Sequence, residues 1–85
     1  MTSTEQQLCG IWREVLNVAE VTPESDFFGL GGDSVATMVM LMRVEEDLSI
    51  YLDPGVIYDA PTVALLAQAI ETELNARATE TAQLA

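Results

Sequence analysis

The chain has 85 residues, 49% of them hydrophobic, which is enough for one small domain with its own core. Fourteen acidic residues against three arginines give a net charge of −11. That charge argues against nucleic acid and anionic membrane surfaces as partners, and in favour of basic docking surfaces. The chain has no histidine and no lysine, so it has neither the base of a Ser-His-Asp hydrolase nor the lysine of a phosphate-binding P-loop. One cysteine, Cys9, cannot form an internal disulfide or a thiolate-rich zinc site, and no metal site is expected.

In chain order, Glu5 to Asn17 has helical periodicity, with Leu8, Ile11, Trp12, Val15 and Leu16 on one face. Thr4 or Ser3 is expected to cap its start. Cys9 and Trp12 read as core. Val18 to Asp33, with Pro23, Gly29, Gly31 and Gly32, reads as a long loop, and loops of this length are often functional. Its apolar residues Val21, Phe27, Phe28 and Leu30 read as anchors to the core.

A second helix is expected from Asp33 or Ser34 to about Leu48, with Asp33 as N-cap. It carries two apolar stripes. Thr37, Met40 or Leu41, Val44 and Leu48 form one; Val35, Met38 or Val39, and Met42 form the other. Only one stripe can face a small core, and Ser34 sits at the top of the second. Asp53-Pro54 predicts a short helical turn through Tyr58. Pro61-Thr62 opens the last helix, with Val63, Leu66, Ala67, Ile70 and Leu74 as its buried stripe. After Asn75 the tail either frays or extends the helix weakly. The expected fold is all-α: a small bundle of three main helices plus one short helix. It forms a single domain over residues 1–85, with its core at about 5–75 and 76–85 as tail.

Ser34 stands between a glycine-rich loop and an apolar helix. A helix N-terminus favours anions, phosphate above all, and glycines let the backbone turn tightly and leave room for a visiting surface. A phosphodiester on Ser34 would sit in a favourable field. A serine at this place is also a common plain cap.

The stretch F-F-G-L-G-G-D-S, Phe27 to Ser34, closely resembles the attachment motif of peptidyl carrier proteins, the thiolation domains of nonribosomal peptide synthesis. An opening L-x-x-I-W-x-x-V-L (Leu8 to Leu16) and a late A-P-T-V-x-x-L-A (Ala60 to Ala67) extend the resemblance over roughly Leu8 to Leu74. Asp33 stands where many such domains carry His. Aspartate there, and the following S-V-A-T-M and V-E-E-D-L, look more like acyl carriers of fatty-acid and polyketide synthesis.

The resemblance implies an acyl-carrier-like fold and a carrier that is itself no enzyme. A phosphopantetheinyl transferase, using magnesium, would move 4′-phosphopantetheine from coenzyme A to Ser34, with Asp33 and Gly32 in support. Asp33 would either help position magnesium or the transferase, or only cap the helix. An adenylation enzyme would load an amino acid, and condensation or tailoring enzymes would use it. Val35, Met38 and Met42 would dock these partners, methionine being adaptable; the alternative is that they belong to the core. The initial Met1 and single domain suggest a freestanding (type II) carrier, though a piece cut from a synthetase with an added Met would look the same. The polar start MTSTEQQ and the lack of a bilayer-length apolar run suggest a cytoplasmic protein. Nothing demands more than a monomer.

Three rival readings fit the residues less well. A G-D-S-type esterase needs an absent histidine. The acidic residues do not follow EF-hand spacing. An unmodified acidic helical adaptor explains the charge and the methionines but leaves G-G-D-S a coincidence.

Overall fold

The computed structural model describes the backbone of residues 1–84 and the side chains of residues 1–77. Four helices follow one another: α1 (Ser3–Leu16), α2 (Ser34–Leu48), α3 (Val56–Asp59) and α4 (Val63–Leu84). Among the described residues there is no strand, only an isolated bridge between Asp26 and Thr62. The all-α expectation of three main helices and one short one holds. The backbone after Asn75 continues as helix to Leu84; Ala85 lies outside the described residues.

The start of α1 differs from the expectation. Its N-cap is Thr2, not Thr4 or Ser3. Thr2 Oγ1 accepts from the Glu5 N–H at 3.1 Å, and Glu5 Oε1 accepts from the Thr2 N–H at 2.8 Å. Two donors that the first turn leaves unpaired are thereby satisfied reciprocally. The helix ends at Leu16, one residue early, because Asn17 turns left-handed at φ 54°.

The core is built around α1, which packs against both α2 and α4. Leu8, Cys9, Ile11 and Trp12 are buried on α1, while Val15 and Leu16 pack at its edge. From α2 come Thr37, Met40, Leu41 and Val44; from α4 come Val63, Leu66, Ala67 and Ile70. Leu74 is exposed, so the stripe of α4 ends one turn earlier than the periodicity predicted. Beyond Ile70 the contact with the rest of the bundle is polar, with Arg77 Nη1 donating to Ser49 O at 2.9 Å.

The long loop is tied down at both ends of its apolar segment. Val21 and Phe27 are buried, and Leu30 packs partly. The Phe27 N–H donates to Pro61 O at 2.7 Å, and the Ala64 N–H donates to Pro23 O at 2.9 Å. These bonds pair the loop with the Ala60-Pro61-Thr62-Val63 segment, so the two stretches that carry the sequence resemblance lie side by side. Phe28 departs from its expected role. It is exposed and stacks on Tyr58 of α3, with ring centroids 5.5 Å apart and planes at 21°.

Asp53 does not cap a helix beginning at Pro54. Its carboxylate accepts from the Gly55 N–H at 2.8 Å, and its carbonyl accepts from the Val56 N–H at 2.9 Å. That closes a turn over 53–56, and α3 starts after it. Thr62 is the cap of α4: Oγ1 accepts from the Leu65 N–H at 3.2 Å.

Candidate functional site

The site is the entry to α2. Asp33 is its N-cap, in extended backbone conformation. Asp33 Oδ1 accepts from the Ala36 N–H at 2.8 Å, and Asp33 O accepts from both the Thr37 N–H and Thr37 Oγ1. The capping role therefore belongs to Asp33. Ser34, the first helical residue, is exposed, and no side-chain hydrogen bond engages its hydroxyl among the described residues. A plain-cap reading of Ser34 is thereby ruled out: the hydroxyl stands at the positive end of a helix whose cap is already supplied.

The glycines before it do different things. Gly31 has φ +100°, a conformation that a side chain would strain. Gly32 was expected to leave room for a visiting surface; it faces inward instead. A Cβ on it would lie 2.3 Å from Phe27 Cε2 and 2.8 Å from Phe27 O. The Gly32 N–H also donates to Phe27 O at 2.9 Å. Gly32 thus lets the loop fold onto the buried Phe27 ring, which itself meets Trp12 edge-on at 5.0 Å. The loop's last turn is fixed to the core, and Ser34 with it.

Beside Ser34 lies an open cleft of about 190 Å³, lined by Ser34, Thr37, Met38, Pro54, Gly55 and Tyr58. The predicted second stripe is on the surface: Val35 is 73% exposed, Met38 52% and Met42 58%. They are not core residues. Met38 and Met42 point toward the 50–55 segment, where both line one cleft; Val35 is not among that cleft's walls. Sequence reasoning missed Pro54 and Tyr58 as neighbours of Ser34, because only the turn closed by Asp53 brings them there.

An exposed hydroxyl at a helix N-terminus, with open space beside it, suits a covalent phosphate-linked group. Among the described residues no three His, Cys, Asp or Glu side chains gather to hold a metal ion. No helix among them is long and apolar enough to cross a membrane. Residues 6–70 match the family model described as phosphopantetheine attachment site.

The chain belongs to the phosphopantetheine attachment site family. It is similar to a segment of the dimodular nonribosomal peptide synthase of Bacillus subtilis (strain 168), 39% identical over 70 residues, covering 82% of this chain and 3% of that protein. The chain thus spans only a few hundredths of the length of such curated relatives. BlmI, a type-II acyl-carrier-protein from Streptomyces verticillus involved in bleomycin biosynthesis, shares its fold with a TM-score of 0.80 and 32% identity, over 85% of this chain and 87% of BlmI. A chain from the complex of the phosphopantetheine transferase Sfp with coenzyme A and a peptidyl carrier protein superposes with a TM-score of 0.81 and 29% identity, over 85% of this chain and 94% of that one. The helix arrangement of this attachment-site protein is the acyl-carrier-like fold of these neighbours.

Proposed function

We propose that the protein is a peptidyl carrier of nonribosomal peptide or related natural-product biosynthesis, bearing 4′-phosphopantetheine on Ser34. The observation that carries this reading is the exposed Ser34 hydroxyl, released from capping by Asp33, inside the segment matched to the attachment-site family. The protein is a substrate of other enzymes rather than a catalyst, and residues 1–85 act as one carrier domain. A cytoplasmic location accords with the single unpaired cysteine.

Ser34 Oγ attacks the β-phosphate of coenzyme A. The Oγ–P bond forms, the bond to the α-phosphate oxygen breaks, and adenosine 3′,5′-bisphosphate leaves. The hydroxyl proton goes to a base of the phosphopantetheinyl transferase, since this chain has no histidine. Magnesium is needed only for that transfer. The N-terminus of α2, with its positive dipole end, would favour a phosphodiester anion on Ser34. Asp33 keeps the helix start fixed through its cap, and Gly32 keeps the loop folded behind it. Once bound, the group supplies a terminal thiol that holds cargo as a thioester. Val35, Met38 and Met42 present an adaptable apolar surface to the transferase, the adenylation enzyme, and condensation or tailoring enzymes in turn. Such contacts need to be short-lived, and the acidic surface favours rapid steered encounter.

A second reading, an acyl carrier of fatty-acid or polyketide type, draws on Asp33 and on the acidic Glu45 and Glu46 toward the end of α2. Loading separates the two. The phosphopantetheinylated protein, offered amino acids with candidate adenylation enzymes, is expected to gain an aminoacyl mass that mild base removes. Loading from acyl-coenzyme A donors alone would favour the acyl carrier.

A further inference from the structure

The chain carries its sulphur in four methionines and one cysteine, and the fold divides them sharply. Met40 is fully buried on the core side of α2, and Cys9 is buried on α1. Met38 and Met42 are each more than half exposed on the same helix as Met40, and Met1 is exposed at the N-terminus. Met1 Sδ lies 3.7 Å from Cys9 Sγ, which places it with α1 rather than with the α2 surface. Met38 and Met42 stand one helical turn apart. Both line a cleft whose other walls include Leu41, Leu52 and Pro54, and Met38 also lines the cleft beside Ser34. The side chains of those three walls carry no hydrogen-bond donor, and proline has no N–H either. Two solvent-open thioethers thus border an apolar strip next to Ser34.

A thioether is apolar, and its sulphur lone pair is nucleophilic. A hydroperoxide converts it to a sulphoxide. The sulphur attacks one peroxide oxygen, so an S–O bond forms and the O–O bond breaks. Sulphur gives up two electrons and the peroxide is reduced; with hydrogen peroxide, the proton of the transferred oxygen joins the departing hydroxide as water. The product is a polar, chiral group in place of a flexible apolar one. Pressed against an apolar partner surface with no donor, its oxygen loses water and gains nothing in return. Burial shields Met40 and Cys9 from the same reagent, and it also pushes the Cys9 thiol pKa up, away from thiolate. An oxidant therefore alters the surface next to Ser34 and leaves the core packed.

Building on the carrier reading above, we propose that Met38 and Met42 are a reversible oxidation site, and that their conversion to sulphoxides by a hydroperoxide closes the α2 surface to partner enzymes without unfolding the protein. Val35 and Val39, also exposed on α2, have no sulphur to oxidise, so the change falls on the methionine side of the helix. Methionine sulphoxide reductases restore the thioethers. Access to partners is lost and regained while Ser34 itself stays chemically unchanged.

The test uses the full chain before phosphopantetheine is attached, so that no arm thiol competes for the oxidant. The chain is treated with hydrogen peroxide, the excess is removed, and peptide mass mapping locates the added oxygens. Met38 and Met42, together with the exposed Met1, are expected to gain one oxygen each before Met40 or Cys9 gains any. The thermal unfolding transition is expected to stay in place. Phosphopantetheine transfer by a broad-specificity transferase is expected to lose kcat/KM several-fold, chiefly through KM, and to regain it after treatment with the reductases. The double variant Met38→Leu with Met42→Leu, compared with its own untreated form, is expected to show no such loss, which separates these two residues from Met1. Oxidation of Met40 as fast as of Met38 would overturn the selectivity. An oxidised protein that is modified at the original rate, or a loss that persists in the double variant, would overturn the switch. An untreated chain that gains no phosphopantetheine at all would refute the carrier reading, and the switch with it.

Discussion

Gly32 and Phe27 are in contact so close that no other residue fits at 32: an added Cβ would meet the ring at 2.3 Å and the backbone carbonyl at 2.8 Å. The carbonyl cannot move freely, because it also accepts the Gly32 N–H, and the ring is wedged against Trp12. Gly32→Ala is therefore expected to destabilise the fold by about 1–3 kcal/mol, the usual cost of overpacking. Gly31→Ala meets nothing in space but strains the backbone at φ +100°, at a cost of about 1 kcal/mol. Urea denaturation of the two variants checks both, and Gly32→Ala is expected to be the less stable.

Asp33 separates two roles by substitution. Asp33→Ala loses the cap on Ala36 and is expected to cost about 1 kcal/mol. Asp33→Asn keeps a capping oxygen and should retain nearly full stability. The rate of phosphopantetheine transfer to the two variants then isolates the charge. If Asp33 only caps, the Asn variant is modified at the original rate. If its carboxylate serves magnesium or the transferase, the Asn variant slows without losing stability.

The three methionines of α2 should behave oppositely according to the side they face. Met40 is fully buried, and Met40→Ala is expected to cost about 2–5 kcal/mol. Met38 and Met42 are more than half exposed, and truncating either should change stability by less than about 1 kcal/mol. Their expected effect is instead on aminoacylation by the cognate adenylation enzyme, with kcat/KM reduced several-fold. Equal aminoacylation by the variants and the original chain would remove these residues from the docking surface.

Cys9 is 1% exposed, and burial pushes its thiol pKa up, away from the reactive thiolate. A thiol reagent at neutral pH is expected to leave the unmodified folded protein unlabelled. After phosphopantetheine transfer it should add one label, on the arm. Two labels on the folded modified protein would mean that Cys9 is accessible.

Much of the fold is legible in the sequence, for a local reason. Asp33 before an apolar run is a cap with a mechanism, and helical spacing sorts α2 into two stripes, of which the one with Thr37, Met40, Leu41 and Val44 is buried. What escapes is set by contacts between distant segments. Phe28 is as apolar as Phe27, and nothing local says that one ring enters the core while the other turns out to stack on Tyr58. The role of Gly32 depends on where the Phe27 ring packs, which in turn depends on the bond from Phe27 to Pro61. Thr2 is a different case: T-S-T-E carries the capping-box pattern, with glutamate three residues after threonine, so that signal was present. At the site, Ser34 and the surface stripe can be read from the chain. Pro54 and Tyr58 cannot, since only tertiary packing brings the 50–58 segment beside α2.

The measurement that tests the central claim most directly is intact-protein mass after incubation with coenzyme A, magnesium and a broad-specificity phosphopantetheinyl transferase, alongside Ser34→Ala. The account predicts the mass of one phosphopantetheine on the original chain and none on the variant. A folded original chain that gains nothing, while a control carrier is modified in the same tube, would contradict it, as would an equal gain on Ser34→Ala.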